Sequence, residues 1–106
     1  NDDHPACEEG EYAQSDGYDY LGSRSDGGFA EYVIAPVRNL IKLPDSVSME
    51  EAAMTEPAAV ALHAARRARI RLGDTVAIFG LGPIGLMLAQ WLKSMGASRI
   101  FLFDLL

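Results

Sequence analysis

"TVAIFGLGPIGLMLAQWLKSMGASRIFLFD" occupies Thr75 to Asp104, and its order of residue types decides how the chain folds. Thr75 to Phe79 is a short, unalternating β-prone run of the kind expected of a parallel strand buried on both faces. Gly80, Gly82 and Gly85 follow it. A periodic segment from Pro83 to about Met95 then places Ile84, Met87, Leu88, Trp91, Leu92 and Met95 on one stripe, the spacing of a helix packed on a sheet. Trp91 and the methionines are read as core. Gly96 ends the helix and "RIFLF" supplies a second buried strand.

Each glycine costs about 0.5–1 kcal/mol of backbone entropy relative to Ala in a regular element. Gly80-Leu81-Gly82-Pro83-Ile84-Gly85 falls at the strand-to-helix turn, where a dinucleotide's pyrophosphate must approach backbone. There Gly80 permits the sharp turn, Gly82 removes a side chain that would block phosphates, and Gly85 lets helix and strand pack closely. The helix N-terminus adds about half a positive charge and N–H groups without intrahelical acceptors. Pro83 has no N–H, so a backbone donor is expected from Ile84 or a neighbour. Asp104 ends the next strand about 20 residues after the last glycine, the separation at which an acid reaches ribose hydroxyls. It also repels a ribose phosphate, and Leu105-Leu106 bring no cation, which favours NAD over NADP. The plain alternative is a tight turn of a strand-helix-strand unit with no ligand.

Outward from this unit the chain changes character. Asn1 to Asp26 is polar and acidic without a sustained period, which predicts an irregular lobe. "GFAEYVIAPVRNLIKL", from Gly28 to Leu43, predicts two short strands split at Pro36. Ser48 and Glu51 have the spacing of a capping box. A helix from Pro57 to about Ile70 should carry Val60, Ala61, Ala64, Ala65 and Ala68 on a shallow apolar face, with Gly73 as its stop. Arg66, Arg67, Arg69 and Arg71 are read as last-turn cations that meet the helix dipole.

The 106 residues, 49% of them hydrophobic, suit one domain and are too few for two ordinary ones. Nine Lys+Arg against fifteen Asp+Glu leave a formal charge of -6, which argues against a nucleic-acid partner. No apolar run reaches the ~18–20 residues of a membrane span. The single cysteine, Cys7, cannot close an internal disulfide and points to a reducing, cytoplasmic setting. A start at "NDDHPACEEG" and a stop at "FDLL" read as a piece of a longer protein, with sheet edges that need covering.

"GGFAEYVIAP", "LPDSVSMEEAA", "TEPAAVALHA" and "GLGPIGLMLAQWLKSMGA" each resemble segments of the zinc-containing medium-chain alcohol and polyol dehydrogenases, in family order and spacing. "EPAAVALHA" is most similar to the sorbitol and sugar-alcohol or sugar-alcohol-phosphate branch, with Glu56 where alcohol dehydrogenases proper carry a Cys. The resemblance implies an α/β chain that begins a Rossmann-type doubly wound parallel sheet. It implies that the C-terminal part of a mostly β, GroES-like catalytic domain precedes that sheet. Residues 1–55 are then part of the catalytic domain, and 56–106 form the connecting helix and the first portion of the NAD-binding domain.

It further implies NAD-dependent oxidation of a secondary alcohol of a polyol or sugar alcohol, assisted by zinc, in a homo-oligomer. Glu56 is then the catalytic residue at the metal, as a zinc ligand or through its water. Gly80, Gly82, Pro83, Ile84, Gly85 and Asp104 are then the cofactor-binding residues. His63 is left out as a packed or surface histidine. Tyr20 and Ser23 fall in the stretch that borders the family's substrate pocket. The family's four structural-zinc cysteines become Asn1, His4, Cys7 and Ser15, so a structural zinc is not expected, although Asp2, Asp3 or Asp16 keep a weak site open. The chain alone is expected to be inactive. Two other readings are a truncated, non-catalytic nucleotide-binding or interaction module and a zinc-free, quinone-reductase-like oxidoreductase.

Overall fold

A computed structural model describes residues 5–105 in two compact units, Asn1–Lys42 and Leu43–Leu106. The first is built from turns. α1 is one turn, Pro5–Glu8, and 3-10 turns span Tyr12–Gln14 and Val37–Asn39. The Ser15 hydroxyl donates to the Tyr12 carbonyl at 3.0 Å, which closes the first of these turns. An isolated bridge joins Leu21 and Ser25. The two strands expected between Gly28 and Leu43 do not form. Their β-branched and aromatic residues need a facing strand to complete a ladder, and no described residue pairs with them, so Phe29 and Ile34 stand exposed. Past Pro36 the backbone enters the second 3-10 turn instead.

In the second unit, α2 (Met49–Ala53) starts with the expected capping box. The Glu51 N–H donates to Ser48 Oγ at 3.2 Å, and the Ser48 N–H donates to Glu51 Oε2 at 2.8 Å. α3 runs Thr55–Arg67, two residues ahead of the expected start. Pro57 is tolerated in the first turn because N–H groups there have no intrahelical acceptor to lose. α3 also ends before Ile70, because Arg69 adopts a left-handed φ of 51°. Arg66 and Arg67 occupy the last turn, whereas Arg69 and Arg71 lie beyond it. Gly73 therefore is not the helix stop; its N–H donates to the Gly96 carbonyl at 2.9 Å, just ahead of β1 (Thr75–Phe79).

β1 is followed by α4 (Pro83–Ser94) and β2 (Arg99–Phe103), and the strands pair in parallel from Thr75↔Arg99 to Phe79↔Phe103. Below the strands, the Ser98 N–H donates to the Asp74 carbonyl at 2.8 Å and the Ser98 hydroxyl donates to the Gly73 carbonyl at 2.6 Å. Ala65, Ile78 and Leu92 form the buried core, ringed by Val76, Leu88, Ala89, Trp91, Met95 and Ile100. Ala61 and Ala65 expose no surface, because their small side chains let α3 close on α4.

Two expectations need correction. β1 is covered on one face only: Ile78 is 5% exposed and the next residue, Phe79, 79%. Successive side chains point to opposite faces, and Phe79 stacks on its register partner Phe103 with ring centroids 5.0 Å apart. Ile84 leaves the apolar stripe and is exposed, and Ala89 joins the ring in its place. Ile84 stands in the first turn of α4, at the mouth of the helix.

Leu92, at 1% exposure, fills the space between α3, α4 and the strands. Leu92→Ala should lower unfolding free energy by about 2–5 kcal/mol, read from urea denaturation. Glu51 gives a pH test. The Ser48 backbone N–H, and secondarily its hydroxyl, hold the Glu51 carboxyl below the ordinary Glu range. This contribution is present above the unfolded value and is lost as pH falls through the lower folded value. The stability gap between wild type and Glu51→Gln should therefore narrow as urea midpoints are followed from about pH 7 to about pH 3.

Candidate functional site

The C-terminal end of β1 continues directly into the glycine turn. The Gly80 N–H donates to the Phe103 carbonyl at 2.8 Å, which extends the ladder by one bond. Gly80 then turns the chain with a φ of 95°, a conformation that penalises any residue with a Cβ. The Leu81 N–H donates to Asp104 Oδ2 at 2.5 Å, and Asp104 Oδ1 accepts the Leu105 N–H at 2.7 Å. The acid predicted 20-odd positions away is thus bonded to the glycine turn itself. α4 begins at once, with Gly82 as N-cap, Pro83 in the first turn, and the Leu86 N–H donating to the Gly82 carbonyl at 3.0 Å. Ile84 and Gly85 occupy the first turn, where N–H groups have no intrahelical acceptor.

The glycines separate by cause. Gly80 is required by its backbone angle. Gly85 is required by packing, because a Cβ there would collide with the Gly80 carbonyl oxygen. Gly82 is required by neither: its φ is -64° and a Cβ on it would meet no protein atom within 4 Å. A concavity of about 370 Å³ opens there, lined by Phe79, Gly80, Gly82, Pro83, Ile84 and Gly85 among others. An open spot before a helix N-terminus, with a carboxylate tied beside it, fits a dinucleotide pyrophosphate and its ribose.

The structure thus brings Gly80, Gly82, Pro83, Ile84, Gly85 and Asp104 to one place. Glu56 is elsewhere, exposed in the first turn of α3, and His63 is exposed further along the same helix. In the first unit, the Ser23 N–H donates to the Tyr20 carbonyl at 3.0 Å. Of the positions weighed for a structural zinc, Asn1, Asp2, Asp3 and His4 lie outside the described residues, Cys7 is in α1, and Ser15 and Asp16 follow the first 3-10 turn. Among the described residues no group of three or more His, Cys, Asp or Glu could hold a metal.

Two contacts were not legible in advance. The Leu81–Asp104 bond has no sequence signal beyond spacing. The Trp91 indole N–H donates to the Ala58 carbonyl at 3.0 Å, where the periodicity marked Trp91 only as core.

Comparison with known proteins agrees with this architecture. The chain is 43% identical over 98 residues to (R,R)-butanediol dehydrogenase of Bacillus subtilis, covering 92% of this chain and 28% of that protein. It is 40% identical over 101 residues to galactitol 1-phosphate 5-dehydrogenase of Escherichia coli, covering 95% and 29%. The crystal structure of galactitol-1-phosphate dehydrogenase from Escherichia coli matches with a TM-score of 0.84 at 39% identity, over 95% of this chain and 29% of that one. No family model matches. The chain spans under a third of the length of these relatives. Its second unit is the opening of a Rossmann-type parallel sheet. Over the stretch it spans, the chain belongs to the medium-chain alcohol and polyol dehydrogenase family.

The three glycines should respond differently to Ala in urea denaturation. Gly85→Ala should cost about 1–3 kcal/mol through overpacking, and Gly80→Ala about 1–2 kcal/mol through its backbone angle. Gly82→Ala should leave stability unchanged or raise it by up to about 1 kcal/mol.

Proposed function

We propose that the whole protein is an NAD-dependent dehydrogenase that oxidises a secondary alcohol of a polyol or sugar alcohol, and that the turn from Gly80 to Gly85 receives the cofactor's pyrophosphate. The observation that carries this reading is Gly82, a glycine that neither backbone angle nor packing requires, at the mouth of a twelve-residue helix. The phosphates accept N–H donors of the first turn of α4, with Ile84 and Gly85 as the nearest after Pro83. The Asp104 carboxylate accepts ribose hydroxyls. The bonds from the Leu81 and Leu105 N–H groups orient the Asp104 carboxylate at the edge of the turn. NAD, when bound, supplies the hydride acceptor.

Relatives of this chain are named for a diol, a sugar-alcohol phosphate and sorbitol, which supports a hydroxylated small-molecule substrate. Glu56 is this chain's contribution to a metal centre, with the remaining donors supplied by other parts of the whole protein. Turnover is then a property of the whole, homo-oligomeric protein. Among the described residues no helix is long and apolar enough to cross a membrane, and we place the protein in the cytoplasm.

Calorimetric titration of the whole protein with NAD tests the reading. Wild type should bind, and Gly82→Val should weaken binding at least about tenfold, the scale of a blocked contact worth roughly 1.4 kcal/mol. Asp104→Ala should erase most of the preference for NAD over NADP, a loss of about 10-fold to 100-fold for one charged hydrogen bond. No binding by wild type, or an unchanged Kd in Gly82→Val, overturns the assignment. Zinc analysis of wild type and Glu56→Ala tests the metal role, which requires the variant to hold less zinc.

A further inference from the structure

α3 is held to α4 by two kinds of contact. Ala61 and Ala65 pack without exposed surface in the middle of the helix. Nearer its start, Thr55, Glu56, Ala59 and Val60 are exposed, and Met54 gives no side-chain cap. Grooves of about 400 and 370 Å³ open there, both lined by Met54, Ala58 and Trp91. Apolar packing is thin at that end of α3. The specific link is the bond from the Trp91 indole N–H to the Ala58 carbonyl, 3.0 Å long and partly buried.

Apolar contact is non-directional, whereas a hydrogen bond weakens steeply away from its preferred angle. Small alanines would let α3 roll or slide on α4; a fixed donor at Ala58 opposes both motions. An indole N–H only donates, and a helical carbonyl has a second lone pair, so the bond forms without sacrificing the helix's own. Ala58 lies two residues after Glu56, within the same turn. Trp91 lies on the helix whose first turn carries Gly85.

We infer that Trp91 is a positioning residue, which fixes the first turn of α3, and with it Glu56, relative to the cofactor-binding turn at the head of α4. This rests on the roles proposed for Glu56 and the glycine turn. The side chain touches neither cofactor nor substrate in that reading; it acts through the Ala58 carbonyl.

The test replaces the donor and keeps the ring, in the whole protein, by Trp91→Phe and by Trp91→3-benzothienylalanine, an isostere that lacks the N–H and preserves the fold if Phe does not. Amide exchange should accelerate about tenfold or more at 58–60, with β1 and β2 unchanged, since local opening is independent of global unfolding. The Kd for NAD should stay within about twofold and kcat should fall about tenfold or more, the scale of a displaced reacting group. In a Glu56→Gln background the same replacement should have little further effect on kcat, because coupled residues are non-additive. Unchanged exchange at 58–60, a uniform acceleration that includes β1 and β2, or full additivity with Glu56→Gln overturns the inference. Absence of NAD binding by wild type would sink the proposed function instead, and the exchange experiment reads the Trp91 link without it.

Discussion

Everything in the second unit is organised by one close approach: the first turn of α4 sits so near the end of β1 that residue 85 has no room for a Cβ beside the Gly80 carbonyl. Because the helix starts directly on the strand, its N-terminus lies beside the turn and not beyond it. The helix can then lay Leu88 and Leu92 across Ile78, which forms the core. The same geometry brings Asp104, the residue after β2, within bonding reach of Leu81. Steric exclusion at one position thus sets packing and site together.

Much of this was legible in residue order. An apolar run, a glycine turn, a periodic segment and a second apolar run predict β1, α4 and β2 nearly to their ends, since parallel strands and the helix between them leave strong local patterns. Ser48 and Glu51 announced their reciprocal bonds for the same reason. Features that depend on distant partners were not legible. Tyr32, Val33 and Ile34 have β propensity, and propensity cannot supply a neighbouring strand. Phe79 and Phe103 read as buried because a parallel strand is ordinarily covered twice, whereas among the described residues the helices cover one side. Arg69 takes a left-handed conformation as Gly73 does, where sequence reasoning expects it of the glycine alone.

The candidate site divides along the same line. The glycine spacing and the distant acid were visible because the constraint is local to a turn and two strand ends. The bond that holds Asp104 to Leu81, and the one from Trp91 to Ala58, join positions 23 and 33 apart and leave no pattern in a single sequence. Family resemblance supplied Glu56, which the described residues show as an exposed carboxylate on the first turn of α3. The stretch described matches 28–29% of the length of its relatives.

The clasp of Ser98 on Gly73 and Asp74 secures the strands at the pole opposite the glycine turn. Anchorage there relieves the glycine-turn pole of part of the duty of keeping the strands together. Substitutions near the clasp are then filtered by whether the chain folds, whereas Gly82 meets no such filter, since neither backbone angle nor packing requires it. A lineage built on this plan can vary one end while its architecture stays insured at the other.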